Sequence, residues 1–159
     1  MVKEEILPKK EFTECTSMDI CIRFASKAFF TGEKYLIKDI SEKGIQKIIE
    51  NVRNKKYKSL YLSLDPDGEI DCCKYLTLES TGEWIAIQIV DDINNIWYSS
   101  FDINYLNSEE VSPIECSDGQ SEILKKYTIH NVKLAADCIE WFIRTSEPYP
   151  GMEWLKTTC

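Results

Sequence analysis

Glu83-Trp84-Ile85-Ala86-Ile87-Gln88-Ile89-Val90-Asp91 decides how the chain folds. Strict alternation puts Ile85, Ile87 and Ile89 on one face of a strand and Trp84, Ala86, Gln88 and Val90 on the other. Both faces carry apolar groups, so this strand is expected in the middle of a sheet rather than at its edge. Outward from it, the chain reads as a meander. Lys58–Leu64 (KSLYLSL) alternates Leu60, Leu62 and Leu64 against Ser59, Tyr61 and Ser63. Asp65-Pro66-Asp67-Gly68 is a turn signature, because Pro presets one torsion and Gly supplies a positive one. Ile70–Glu79 and Asn95–Phe101 complete four strands, joined through Thr81-Gly82 and Asp92–Asn95.

Helices flank this meander. Ser41 is placed to cap a helix reaching Lys55, with Ile45, Ile48, Ile49 and Val52 as its apolar stripe. Asn131 is placed to cap a second, Val132–Thr145, whose stripe is Leu134, Ala135, Cys138, Ile139, Phe142 and Ile143. Between the meander and this helix, Asp102–Asp118 reads as a loop and Glu122–His130 as a last strand closing the sheet. Ser17–Phe30 is ambiguous. Ile20, Phe24 and Ala28 predict a helix, while the β-branched and aromatic content also serves a strand. Thr31-Gly32 would stop that helix, and Tyr35–Ile40 suits a short strand. Residues 1–16 read as an irregular lead-in and Gly151–Trp154 as a tail. The expected fold class is α+β: one domain, an antiparallel meander sheet packed against two or three helices. Residues 1–40 form an N-terminal extension and 41–155 the core.

Charge is unevenly distributed. Ser59–Leu124 carries fourteen carboxylates and one basic residue, Lys74, a net of −13; the flanking parts are +4 and +1, and the whole chain is −8. An acidic chain of this kind disfavours nucleic acid and anionic membranes and attracts basic partners. A net negative charge also serves solubility alone. The charged start (Lys3, Glu4, Glu5, Lys9, Lys10) does not resemble a secretory leader, and no apolar run approaches a membrane span. Seven cysteines, an odd number without C-x-x-C, suit free thiols in a reducing cytoplasm.

Catalytic patterns are weak. His130 is the sole histidine and has no recognisable nucleophile motif around it. Asp65-x-Asp67-x-Glu69-x-Asp71 superficially resembles a calcium loop but lacks the glycine at the sixth position. No glycine-rich phosphate loop exists, and with fourteen carboxylates any acid–base pair can be chosen after the fact. No enzyme, cofactor or metal is expected. The best mixed constellation is Trp97-Tyr98 beside Asp91, Asp92 and Asp102, since aromatics often anchor protein contacts.

The last third resembles the Imm1 family of bacterial immunity proteins, found with polymorphic toxins and contact-dependent inhibition systems. The resemblance rests on VKLAADCIEWFIRT (132–145) followed by Ser146-Glu147-Pro148-Tyr149-Pro150-Gly151-Met152-Glu153-Trp154, on the meander from Leu60 to Phe101, and on the helix at Ser41. Ser146 stands where that family often has glycine. The resemblance implies a non-catalytic cytoplasmic protein that binds and neutralises the C-terminal domain of a cognate toxin, often a nuclease or deaminase. A nuclease needs a basic cleft, which clustered carboxylates can cover. The expected toxin-binding residues are Asp91, Asp92, Trp97, Tyr98, Asp102, Glu109 and Glu110, with Trp141 and Trp154 assigned to packing of the tail on the helix. Alternatives are an acidic adaptor or chaperone for another basic partner and, less favoured, a carboxylate-dependent enzyme. Oligomeric state is left open.

Overall fold

A computed structural model describes residues 2–14, 17–27, 40–69, 73–116 and 119–159. Its elements are strands β1 (Lys3–Leu7), β2 (Phe24–Ser26), β3 (Ser59–Ser63), β4 (Lys74–Ser80), β5 (Ile85–Asp91), β6 (Ile96–Ser100) and β7 (Trp154–Thr158), with helices α1 (Glu42–Arg53) and α2 (Val132–Thr145). All seven strands join one antiparallel sheet in the order β1-β7-β6-β5-β4-β3-β2, so β5 is its middle strand, as its two apolar faces require. The α+β class and the meander of β3 to β6 agree with the sequence reading.

Both helices cover one face. Across the register, Leu62, Leu76 and Ile89 lie side by side, as do Leu60, Leu78 and Ile87. They share one buried core with Ile45, Ile48, Ile49 and Val52 of α1 and Ala135, Cys138, Ile139, Phe142 and Ile143 of α2. Each such aliphatic side chain contributes about 1.5–3 kcal/mol when fully buried. Ser41 caps α1 by accepting from the Gly44 N–H, and Asn131 caps α2 by accepting from the Leu134 N–H. Past α2, Ser146 takes a left-handed conformation (φ 60°), which is the backbone state glycine supplies most easily.

The other face is covered only in part by the described residues. Phe24, Tyr61 and Tyr75 stack edge to face at 5.8 and 5.5 Å beneath the β3–β4 turn. Gly68 (φ 73°) passes so close to Phe24 that a Cβ would lie 2.7 Å from its ring, and Tyr61 Oη donates to the Gly68 carbonyl at 2.9 Å. Burial raises the Tyr61 phenol pKa well above its ordinary value.

Several expectations are corrected. Residues 17–27 form no helix: 17–23 are irregular and 24–26 are strand β2 on the free edge of β3, with Arg23 N–H donating to the Ser63 carbonyl at 2.8 Å. An available strand edge overrode weak helical spacing. Glu122–His130 is not a strand. It makes single bridges, Leu124 to Val111 and Ile129 to Ile85, around a 3₁₀ turn at Lys125–Tyr127. The 3₁₀ turn interrupts the extended backbone between the two bridges, so no ladder can form along the segment. The sheet is instead extended by β7, in the presumed tail, and by β1, in the presumed lead-in, which pair with each other. Thr31-Gly32, the strand at Tyr35–Ile40 (save Ile40) and the start of the strand at Ile70 fall outside the described residues.

Arg144 fastens residues 17–23 to the helices. It is 6% exposed and donates to the Met18 and Asp19 carbonyls at 3.3 Å each and to Glu42 Oε1 at 2.5 Å. The guanidinium, helped by Gln46, holds the Glu42 carboxyl below its ordinary pKa. A depressed carboxylate contributes stability that is full above its unfolded pKa and lost as pH falls through the folded one. Because Arg144 is buried and makes all three of these hydrogen bonds, Arg144→Ala is expected to cost about 2 kcal/mol in urea unfolding. Glu42→Gln should flatten the loss of stability on acidification below the usual carboxylate range, read as the urea midpoint against pH.

Candidate functional site

The seven residues expected to bind a partner do not converge. Asp91 ends β5 and is only 6% exposed. Its Oδ1 accepts from the Asn94 N–H at 3.2 Å and its Oδ2 from Asn94 Nδ2 at 2.8 Å, which closes the β5–β6 turn. Asp92, next to it, is half-buried, and its N–H donates to the Cys73 carbonyl at 3.2 Å. Trp97 and Tyr98 are neighbours on β6 and so point to opposite faces. Tyr98 pairs with Ile89 and packs on the core, where burial raises its phenol pKa. Trp97 pairs with Val90 and Thr157 on the face away from the helices.

Asp102 lies beyond the far end of β6. Asp91 is opposite Ile96, so the strand separates the two acids by roughly 20 Å. The Asp102 carboxylate caps a 3₁₀ turn at Ile103–Tyr105 by accepting from the Asn104 N–H at 2.9 Å. Glu109 and Glu110 are exposed on the following loop, and Glu110 pairs with Lys125 at 3.4 Å. The set thus splits into a turn at one sheet end (Asp91, Asp92), a loop at the other (Asp102, Glu109, Glu110), one residue on the open face and one in the core.

What the fold does bring together is a groove of about 440 Å³ on that open face, lined chiefly by Thr77, Glu79, Gln88, Trp97, Glu122 and Tyr127. Its floor is the polar row Thr77, Gln88 and Ser99, adjacent across β4, β5 and β6. Ala86, opposite Glu79, is too small to fill the space above the floor. Residues 122–127 form a rim, held by Ser100, whose Oγ accepts from Ile87 N–H at 2.9 Å and donates to the Tyr127 carbonyl at 2.8 Å. Glu79 accepts a short hydrogen bond from Ser59 Oγ. Of this lining, sequence reasoning singled out Trp97 alone. The missed signal was the polar face of the strands: Gln88 stands among apolar neighbours, and the register then selects Thr77 and Ser99.

Two suspected motifs have structural explanations. Asp65 Oδ2 accepts from the Asp67 and Glu69 N–H groups at 2.9 and 3.0 Å, so the calcium-like series is a turn device. His130 Nδ1 lies 2.7 Å from the Glu83 carbonyl, and its ring stands edge-on to Trp84 with centroids 4.5 Å apart. Lys125 then sits over both Trp84 and Tyr105, at 5.4 and 5.5 Å, which clasps the long loop to the β4–β5 end. Among the described residues no group of three His, Cys, Asp or Glu side chains is placed to hold a metal. No helix among the described residues is long and apolar enough to cross a membrane. Comparison of the chain with protein-family models, with curated proteins and with solved structures gives no match.

Because Asp91 acts within its own turn, Asp91→Ala should lower stability by about 1–2 kcal/mol in urea unfolding. Glu109→Ala, on the exposed loop, should change it by less than about 0.5 kcal/mol.

Proposed function

We propose that this chain is a non-catalytic immunity protein that binds and neutralises a basic bacterial toxin domain through the acidic side of its sheet. The observation that carries this reading is a set of exposed carboxylates with no neutralising partner. Asp67, Glu69, Glu83, Glu109, Glu115 and Glu122 are exposed and make no ion pair among the described residues. The helix layer, by contrast, is close to balanced: α1 carries three basic and two acidic residues and α2 two of each.

Like charges gathered on the turns and the long loop repel one another, a cost that a cationic partner would relieve. The same field speeds encounter with that partner, which suits an inhibitor that must act before the toxin does. The resemblance of residues 41–155 to Imm1 proteins supplies the kind of partner; the carboxylates supply the means of attraction. Within the expected set, Glu109 and Glu110 are exposed, and Asp92, Trp97 and Asp102 are half-buried. Asp91 serves its turn and Tyr98 the core.

The test is co-expression of the chain with the C-terminal domain of a toxin encoded beside it. Growth should be rescued and a complex recovered at low salt. Neither rescue nor complex would end the proposal. Reversing Glu109 and Glu115 to Lys together should slow association about tenfold and reduce its salt dependence, measured by stopped flow, with little change in unfolding midpoint.

A further inference from the structure

Of the four tryptophans, three have structural partners. Trp84 holds His130 and Lys125, Trp141 packs edge-on against Phe12 and Tyr149, and Trp154 donates its Nε1–H to the Tyr149 carbonyl. The Trp97 indole has no ring, cation or hydrogen-bond partner among the described residues. It lines the groove together with two carboxylates, Glu79 and Glu122, and the amide and hydroxyls of Gln88, Thr77 and Ser99.

The cations nearest the rim are already engaged. Lys125 lies over Trp84 and Tyr105 and pairs with Glu110, and Lys126 lies 4.8 Å over the Tyr127 ring. Glu122 has no ion pair among the described residues. An indole without a ring or cation partner among the described residues, the exposed Glu122 carboxylate, the Glu79 carboxylate that also accepts from Ser59, and several neutral hydrogen-bonding groups together match one side-chain chemistry. A planar guanidinium stacks on an indole and presents its N–H fork to carboxylates, whereas an ammonium is a hydrated point charge that stacks poorly. The volume exceeds that of one side chain, so the occupant brings flanking backbone with it.

We propose that the groove is the anchor site for an arginine side chain on an exposed segment of the partner protein. The identity of that partner rests on the immunity reading above; the guanidinium chemistry does not.

The four indole N–H signals of the ¹⁵N-labelled full chain provide the test, with the Trp97 signal assigned by its loss in Trp97→Phe. A blocked hexa-arginine peptide is titrated at low salt, with hexa-lysine and hexa-glutamate peptides alongside. The expected result is a saturable shift of the Trp97 indole, stronger for arginine than lysine and absent for glutamate. Glu122→Gln, an exposed position, should weaken the arginine response several-fold with an unchanged unfolding midpoint. Equal responses to arginine and lysine would overturn the proposal. So would shifts confined to the amides of Asp65–Glu69 and Glu109–Glu115 with the Trp97 indole unmoved. A chain that protects cells while its Trp97 ignores the arginine peptide loses the groove and keeps the immunity reading. One that responds at Trp97 but protects nothing keeps the groove and loses that reading.

Discussion

The middle strand of the sheet is confined in every direction, and the other elements are located by it. Ile85, Ile87 and Ile89 lie under the helices with at most 2% exposure, and Val90 on the opposite face is 3% exposed. Both edges of the strand are paired. A slip of one residue would turn the three isoleucines outward and drive Gln88 into the core, so the register has a single acceptable value. That register in turn sets Leu76 and Leu78 beneath the helices and Thr77 beside Gln88. The apolar layer and the polar floor of the groove are two consequences of one alternation.

The same topology sorts the charge. In an antiparallel meander alternate turns emerge at the same end, so the turn at Asp65–Glu69 and the turn at Asp91-Asp92 stand together. The long connection from β6 to α2 carries Asp102, Glu109, Glu110, Glu115 and Glu122, and its residues 122–127 border the face the helices leave open. Most ion pairs in this region are isolated: Lys74 with Glu147 at 2.8 Å at one end, Lys125 with Glu110 at 3.4 Å at the other. Exposed pairs of this kind contribute at most about 1 kcal/mol each, whereas Asp65, Asp91 and Asp102 support the fold by accepting hydrogen bonds within their own turns.

Legibility followed the strength of local signals. The helices were readable because each had a capping side chain ahead of an apolar stripe, and the four meander strands because alternation and turn residues agreed. The edge strands were not readable. KEEIL of β1 has charges where strands usually have apolar groups, a common device for keeping edges from pairing with other chains. WLKTT of β7 is short and follows Pro and Gly, so only its neighbours make it a strand. At Phe24–Ser26 a free edge of β3 decided the matter, and no local pattern reports a free edge. The candidate site was harder still. Acids adjacent in sequence were read as adjacent in space, yet one strand length separates Asp91 from Asp102, and the lining of the groove comes from β4, β5, β6, β7 and a rim some twenty-five residues further on.

β7 lies between β6 and β1, so among the described strands β1 has no neighbour until β7 exists. Strands β3 to β6 can zip successively as they leave the ribosome, each closing only a short connection. Lys3–Leu7 must wait for a segment roughly 150 residues further along the chain before it can pair. Maturation therefore finishes at the seam where Glu5 meets Lys156 at 3.9 Å. That seam joins the two strands farthest apart in the sequence, so it closes the longest loop in the sheet.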